Sequence, residues 1–282
     1  MARPHLEFVQ AQGLPWDTSP WSHLAGCQVK LLSRDPDDGA ASAIVRFPTG
    51  WRAPLPGHLA CAQEIFLLEG GLELNGRRYE PDCYCAFPAG YRLSSLAAPP
   101  GAVALLFFDR EPRWAAGPGT VAAGDAGCPV ELRDAFAMRW EPAAPGAAQA
   151  APGQQWKILR GTAESDAMTL LVCSPPHLHP PRWRGAQAVH AGATELFLLA
   201  GDIIGHAGRM CAGAYLWRPP GSSHGPYATR GGHLALVRTL GGPFLGRSTV
   251  HEVEIARDSA QQPVLPDSVR AQRLWPWRPQ HF

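Results

Sequence analysis

Short apolar runs, separated by glycine, proline and aspartate turns, recur along the whole chain. Typical runs are SAIVRF at 42–47, EIFLLEG at 64–70 and AVALLFF at 102–108. Few windows show a sustained period of 3.6 residues, so the helix content should be low. Strands between tight turns bury one face by closing on themselves, and the pattern therefore predicts an all-β sandwich or barrel.

The pattern of runs occurs twice, which indicates a tandem duplication. In the first copy the matching segments are 5–16, 30–48, 64–72 and 85–93, and in the second they are 129–140, 157–175, 195–203 and 216–224. The distance between matched segments grows along the chain, so the second copy carries two small insertions. The duplicated strand pattern and the single Ala/Pro/Gly-rich join predict one barrel over residues 1–125 and another over 126–282.

Composition and charge indicate which partners and which location to expect. The 282 residues are 45% hydrophobic with a formal net charge of +1, and no block of Lys or Arg is present. We therefore expect neither a nucleic-acid nor a membrane partner. The N-terminus has no apolar signal-peptide core, and the apolar runs are too short to cross a bilayer. A cytoplasmic location, with the seven cysteines reduced, is the corresponding prediction.

Candidate chemistry concentrates in the second copy. His190 and Glu195 lie just ahead of an apolar run, and His224 follows the turn Pro219–Gly221. Imidazole and carboxylate ligands suit divalent Fe, Mn, Zn, Ni or Cu, and three of them leave coordination positions open for water or substrate. The alternative is that the two histidines are merely hydrogen-bonded inside the barrel.

These residues resemble the two sequence motifs of the cupin superfamily. His190, Glu195 and the later glycine match the second half of the first motif, although the gap from glutamate to glycine is one residue short. The segment 213–224 matches the second motif in every spacing. Ala188 stands where that family has another histidine, and Ala228 where it has an asparagine. The resemblance covers nearly the whole chain and implies two tandem cupin (double-stranded β-helix, or jelly-roll) barrels, as in an uncharacterised bacterial bicupin group.

A proline-rich loop, SPPHLHPPRWRG at 174–185, is specific to the second copy. His177 or His179 could be a fourth metal ligand in place of the missing histidine at Ala188. The loop could instead be a lid, with His179 as the candidate catalytic acid or base. A stiff surface loop without a chemical role is the third interpretation. We favour the lid, because the flanking prolines make a regular barrel strand improbable here.

The first copy has a degenerate form of the site. Glu64 is retained and His58 precedes it, but Leu93 occupies the position that matches His224. A site with at most two ligands should hold metal poorly. We therefore predict that the N-terminal barrel is structural and that only the C-terminal barrel binds metal.

The resemblance implies a mononuclear metal-dependent enzyme that acts on a small-molecule substrate. The leading hypothesis is an Fe(II)-type dioxygenase, or cleavage of a C–C bond, with a small carbonyl or phenolic compound as substrate. One divalent transition metal per chain is expected, with Fe²⁺ favoured and Zn²⁺, Mn²⁺ or Ni²⁺ as alternatives. The other hypotheses are a Zn- or Mn-dependent lyase, isomerase or hydrolase, and a non-enzymatic metal or ligand sensor. A homodimer is also compatible with the sequence.

Overall fold

The computed structural model describes residues 3–53, 56–120, 129–144, 151–162, 164–255 and 264–270. This part of the chain is nearly all antiparallel β-structure, which confirms the predicted fold class. It forms two compact units. The N-terminal unit consists of Met1–Arg3 and Pro15–Met138, and the C-terminal unit of Pro4–Leu14 and Arg139–Phe282.

The N-terminal unit contains fourteen of the described strands. They are β2 (Asp17–Thr18), β3 (Gln28–Arg34), β4 (Ala41–Phe47), β5 (Trp51–Arg52), β6 (Gly57–Leu59), β7 (Gln63–Gly70), β8 (Leu72–Leu74), β9 (Arg77–Tyr79), β10 (Cys83–Phe87), β11 (Arg92–Leu93), β12 (Leu96–Ala98), β13 (Ala102–Phe108), β14 (Trp114–Ala116) and β15 (Val130–Asp134). A short 3₁₀ helix, Ser22–Leu24, precedes β3.

The C-terminal unit contains the other strands, and these carry the candidate site. They are β1 (Leu6–Gln10), β16 (Glu141–Pro142), β17 (Gln155–Arg160), β18 (Ala167–Ser174), β19 (Arg184–Val189), β20 (Ala193–Gly205), β21 (Gly208–Cys211), β22 (Ala214–Arg218), β23 (Ser223–His224), β24 (His233–Leu240) and β25 (Arg247–Glu254). The described helical segments here are a 3₁₀ turn, Ala11–Gly13, and one helical turn, α1 (Asp267–Arg270).

The two large sheets have the same strand order, as a duplication requires. The N-terminal sheet runs β15-β10-β7-β13-β4-β3-β2, and the C-terminal one runs β1-β22-β20-β24-β18-β17-β16 with β21 added on β20. Strands at the same place in the two orders, such as β7 and β20, are also the strands that the sequence repeat matches. Smaller sheets complete each unit, namely β11-β6-β14 and β5-β12-β8-β9 in the first and β23-β19-β25 in the second.

The edge strands of the two large sheets are exchanged. The strand next to β10 comes from the second half of the sequence, and the strand next to β22 comes from the first half. Strand β1 pairs with β22 through Leu6 and Trp217, whereas β15, its counterpart in the repeat, pairs with β10. The compact units therefore differ from the predicted contiguous halves, 1–125 and 126–282, because an edge strand is held by backbone hydrogen bonds that do not depend on chain order. The predicted boundary itself falls within 121–128, outside the described residues.

Each unit has its own hydrophobic core. In the N-terminal unit the inward faces of β4, β7, β10 and β13 pack with Trp21 and Leu24. In the C-terminal unit Phe8 from β1 joins Trp156, Leu198 and Leu216. Six cysteines are free thiols, and the seventh, Cys128, lies outside the described residues. Within those residues no helix is long and apolar enough to cross a membrane.

Candidate functional site

The C-terminal unit contains a partly open cavity of about 370 Å³, lined mainly by apolar side chains. Its walls come from alternate residues of the large sheet, such as Thr194 and Leu196 of β20 and Ala235 and Val237 of β24. This alternation follows from the two-residue period of a strand, which sends every second side chain to the same face. A pocket of this size accommodates a small organic molecule.

His190 and His224 come together at the wall of this cavity, as the sequence motif implies. Pairing of β19 with β23 sets Ala188 opposite His224, and the amide of Gly221 donates a hydrogen bond to the carbonyl of His190 at 3.0 Å. The two imidazole rings are nearly parallel, at 6°, with their centroids 4.9 Å apart. Gly221 has a positive φ of 78°, so the tight turn that delivers His224 favours glycine at this position.

Both imidazoles are neutral at physiological pH. Burial is the main cause that lowers the pKa of His190, and the nearby Arg218 lowers it further. The pKa of His224 lies well below its usual value, again through burial first and then through Arg218 and His190. Neutral imidazole is the form that binds a metal ion.

Each ring presents one buried nitrogen without a hydrogen-bond partner among the described residues. These atoms are Nδ1 of His190 and Nε2 of His224. The other nitrogen of His224, Nδ1, lies 3.3 Å from the hydroxyl of Tyr227. A buried polar atom without a partner is costly unless a ligand or water satisfies it. The donor chemistry at this wall therefore fits a divalent transition metal held by two neutral imidazoles, with its other ligands coming from water or substrate.

Glu195, the third ligand predicted from the sequence, is placed on the opposite face of β20. Its neighbours Thr194 and Leu196 line the cavity, so strand alternation directs Glu195 away from it. The Glu195 carboxylate accepts a hydrogen bond from the Tyr215 hydroxyl at 2.6 Å and forms a buried ion pair with Arg238. The structure does not bring Glu195 to the two histidines, and we leave it out of the ligand set.

A sequence signal for this placement exists in the repeat. The N-terminal copy has no counterpart of His224, yet it retains Glu64, whose carboxylate accepts a hydrogen bond from Tyr84 at 2.6 Å. Glu64 and Tyr84 match Glu195 and Tyr215 in the repeat. A glutamate and a tyrosine that persist together in a copy without the second histidine indicate a structural pair on the outer face of the sheet.

His177 and His179 line the same cavity, but their rings are directed at the backbone of Tyr227. Both Nε2 atoms lie within hydrogen-bond distance of the Tyr227 carbonyl, at 3.2 Å and 3.0 Å. The backbone of His177 pairs with Thr229, and His179 stacks on Trp183 with ring centroids 3.6 Å apart. Across the described ranges no group of three His, Cys, Asp or Glu side chains has metal-binding geometry. The arrangement thus supplies no third ligand and leaves the lid interpretation as a proposal.

Two residues that the sequence did not single out complete the site. Arg218, at the end of β22, lines the cavity and is almost fully buried. Its guanidinium binds the carboxylate of Glu7, with Nε 2.6 Å from Oε2 and one Nη contacting Oε1. Burial alone would raise the pKa of Glu7, but the charge and hydrogen bonds of Arg218 hold it far below its usual value. Because Glu7 lies on the exchanged strand β1, no local pattern could have revealed this pair.

The N-terminal barrel has different side chains at the positions of His224 and Arg218. Leu93 is buried in the core, where the C-terminal barrel has His224. His58, the remaining histidine of the predicted degenerate site, lies on β6 opposite Arg92 of β11. Phe87 matches Arg218 in the repeat and stacks on Tyr91, with ring centroids 4.6 Å apart.

Comparisons with known proteins agree with this fold. Residues 132–241 match the ChrR cupin-like domain family. A structure of a candidate dioxygenase from Nostoc punctiforme is 20% identical, covers 89% of this chain and 87% of its own, and has a TM-score of 0.69. Protein YlbA from E. coli is 13% identical, with 89% and 93% covered and a TM-score of 0.57. A variant of Bacillus subtilis oxalate decarboxylase is 13% identical, with 86% and 79% covered and a TM-score of 0.53.

At these identities the likeness establishes the fold and says nothing of the reaction. The comparison with curated proteins gave no match. The matched family domain covers the barrel that holds the histidine pair, and the structural matches extend over both barrels. The duplicated sheet order explains why the likeness spans the whole chain. The chain therefore has the fold of two tandem cupin barrels, and residues 132–241 match a cupin-like domain family.

Proposed function

We propose that the C-terminal barrel is the site of a metal-dependent enzyme acting on a small carbonyl or phenolic compound. One divalent transition metal per chain would be held by Nδ1 of His190 and Nε2 of His224. The observation that carries the proposal is this pair of neutral imidazoles, each with one buried nitrogen that has no partner among the described residues, at the wall of an apolar cavity.

The leading reaction is an Fe(II)-type dioxygenation or a C–C cleavage. Fe²⁺ would supply redox chemistry with dioxygen, whereas Zn²⁺, Mn²⁺ or Ni²⁺ would supply Lewis-acid chemistry at the same imidazoles. The chain's own contribution is an apolar wall, including Trp156 and Phe244, that excludes bulk water from the substrate. A candidate dioxygenase and a decarboxylase are among the proteins that share this fold, so both reactions are compatible with it.

Metal content and oxygen uptake test the reaction class. The protein is purified anaerobically without added metal, its metals are quantified, and oxygen consumption is followed against a panel of diketones and phenols. Stoichiometric iron with substrate-dependent uptake is the expected result. Zinc or manganese without uptake would instead indicate a lyase, isomerase, hydrolase or sensor.

Substitution of the histidines tests the position of the metal. His224→Ala should empty the site, because a single imidazole cannot hold a labile divalent ion against water. The matched control is His58→Ala in the N-terminal barrel, which should leave metal content unchanged. Equal metal loss from both variants would contradict the assignment to the C-terminal barrel.

A further inference from the structure

The described lining residues of the cavity in the C-terminal barrel include a positively charged side chain and no acidic one. Among the described residues that line it, Arg218 is the one with a permanent charge, and none is an aspartate or glutamate. The guanidinium of Arg218 reaches this lining, whereas its partner Glu7 is not one of the lining residues, so the cavity offers hydrogen-bond donors that suit an anion.

Arg218 has hydrogen-bond donors beyond those that Glu7 uses. A guanidinium carries five N–H groups in a planar fork, and Glu7 takes those of Nε and one Nη. Tyr227 accepts a further hydrogen bond from Arg218, and its hydroxyl also lies 3.3 Å from Nδ1 of His224. Glu7 thus orients and neutralises the guanidinium, and Arg218, which lines the cavity, has N–H groups beyond those that Glu7 uses.

The hydroxyl of Tyr227 is a second donor at the same place. Tyr227 lines the cavity beside Arg218. A phenol has one O–H group, which can donate a hydrogen bond to an acceptor oxygen. Charge-assisted hydrogen bonds of this kind are about twice as strong as neutral ones.

We propose that the cavity selects small molecules that combine an apolar body with one carboxylate-like anionic oxygen group, and that Arg218 and Tyr227 hold this group. The apolar body packs against the walls that include Trp156, Leu196 and Phe244. This deepens the proposed function by naming the substrate class of the same cavity, but it does not depend on a metal. Arg218 is a specificity-determining residue here, and Glu7 positions it.

The internal duplication supports the assignment. The N-terminal copy has Phe87 in place of Arg218, and its counterpart of Glu7 is Glu131, a partly exposed residue bound to Arg77 and Tyr91. The buried arginine–glutamate pair therefore occurs in the barrel that has His224 and the cavity, and the matching positions of the other barrel do not form it. A role in barrel folding alone would apply to both copies.

Benzoate and benzyl alcohol test the proposal, since they share an aromatic ring and differ in charge. Binding to the full-length protein is measured by calorimetry and by quenching of tryptophan fluorescence, before and after treatment with EDTA. Benzoate should bind at least about tenfold more tightly than benzyl alcohol in both preparations, whereas acetate, which lacks the apolar body, should bind weakly.

A double variant, Glu7→Gln with Arg218→Met, removes the charge pair without leaving a buried unpaired charge. It should lose the preference for benzoate and retain the binding of benzyl alcohol. The matched control, Glu195→Gln with Arg238→Met, removes a buried pair from the same barrel at the face that does not line the cavity. It should keep the preference of the wild type.

Equal binding of benzoate and benzyl alcohol by the wild type would overturn the proposal, whatever the variants do. Retention of the preference in the Glu7→Gln, Arg218→Met variant would also overturn it. Metal content is measured on the same samples. A protein that prefers benzoate but never holds metal would refute the proposed function alone, and a metalloprotein without that preference would refute this inference alone.

Discussion

The carboxylate of Glu195 lies between the Tyr215 hydroxyl and the Arg238 guanidinium, all within the wall of the C-terminal barrel. A buried ion pair of this kind contributes little net stability, but removal of one partner leaves the other charge uncompensated. Glu195 is therefore expected to act on folding and not on coordination.

Glu195→Gln should lower the free energy of unfolding by about 3–5 kcal/mol, because Arg238 stays buried without its counter-charge. The metal content of the folded fraction should stay as in the wild type. Chemical denaturation and metal analysis of the same preparation measure the two quantities. Glu64→Gln, at the matching position of the N-terminal barrel, is the control for loss of a tyrosine partner. Metal loss as complete as that of His190→Ala would restore Glu195 to the ligand set.

The role of the loop histidines, His177 and His179, can also be tested by substituting individual residues. In a double variant, His177→Ala with His179→Ala, we expect metal content to persist and turnover to fall, because both rings contact the Tyr227 carbonyl and line the cavity. Metal analysis and steady-state rates on the substrate identified by the panel separate the interpretations. Loss of metal would identify a fourth ligand, and full metal with full activity would leave the loop as scaffold.

Strand exchange is the main finding at the scale of elements. Phe8 belongs to the N-terminal end of the chain, yet its side chain is 1% exposed within the core of the C-terminal unit. Strand β1 also carries Glu7 to Arg218. The first strand of the sequence is thus part of the barrel that holds the candidate site.

Phe8→Ala should destabilise the C-terminal unit by about 3–5 kcal/mol, the usual cost of truncating a buried phenylalanine. Hydrogen exchange followed by mass spectrometry should show faster exchange in β20, β22 and β24. The control, Leu24→Ala, removes a core side chain of the N-terminal unit and should accelerate exchange in β7 and β13. Faster exchange in β7 and β13 alone after Phe8→Ala would contradict the assignment of β1.

At the scale of the whole molecule, buried histidines make stability depend on pH. His23 in the N-terminal unit is buried and His233 in the C-terminal unit is partly buried, and burial is the first cause that lowers the pKa of each to about 4. The unfolded chain binds protons near pH 6.5, where the folded histidines do not. Their contribution to stability is therefore complete above about pH 6.5 and is lost as the pH falls toward 4.

We expect the free energy of unfolding to drop between pH 7 and pH 4, by about 2–3 kcal/mol for each histidine at 1.36 kcal/mol per pKa unit. Denaturation curves at a series of pH values measure the drop. His23→Leu should reduce the pH dependence by about this amount, because leucine does not titrate. An unchanged pH dependence in that variant would show that His23 is already protonated, or exposed, in the folded protein.

Local pattern was sufficient for the architecture. Alternating apolar runs between turns predicted the strands, and their repetition predicted two barrels with one strand order, because strand formation depends on residues that are neighbours in sequence. The segment from Gly213 to His224 likewise predicted the turn before His224, and the resemblance to the cupin motifs implied that His224 meets His190. The strands and the turn depend on short segments of the chain.

Tertiary structure decided the chemistry of the cavity wall. The sequence placed Glu195 near the histidines, but the register of β20 against β22 and β24 sends Thr194 inward and Glu195 outward. The pairing of Glu7 with Arg218 joins residues 211 positions apart, through a strand exchanged between the repeats. Such contacts follow from which edge a strand occupies and which face it presents, and both are set by hydrogen bonds to distant strands that no local pattern encodes.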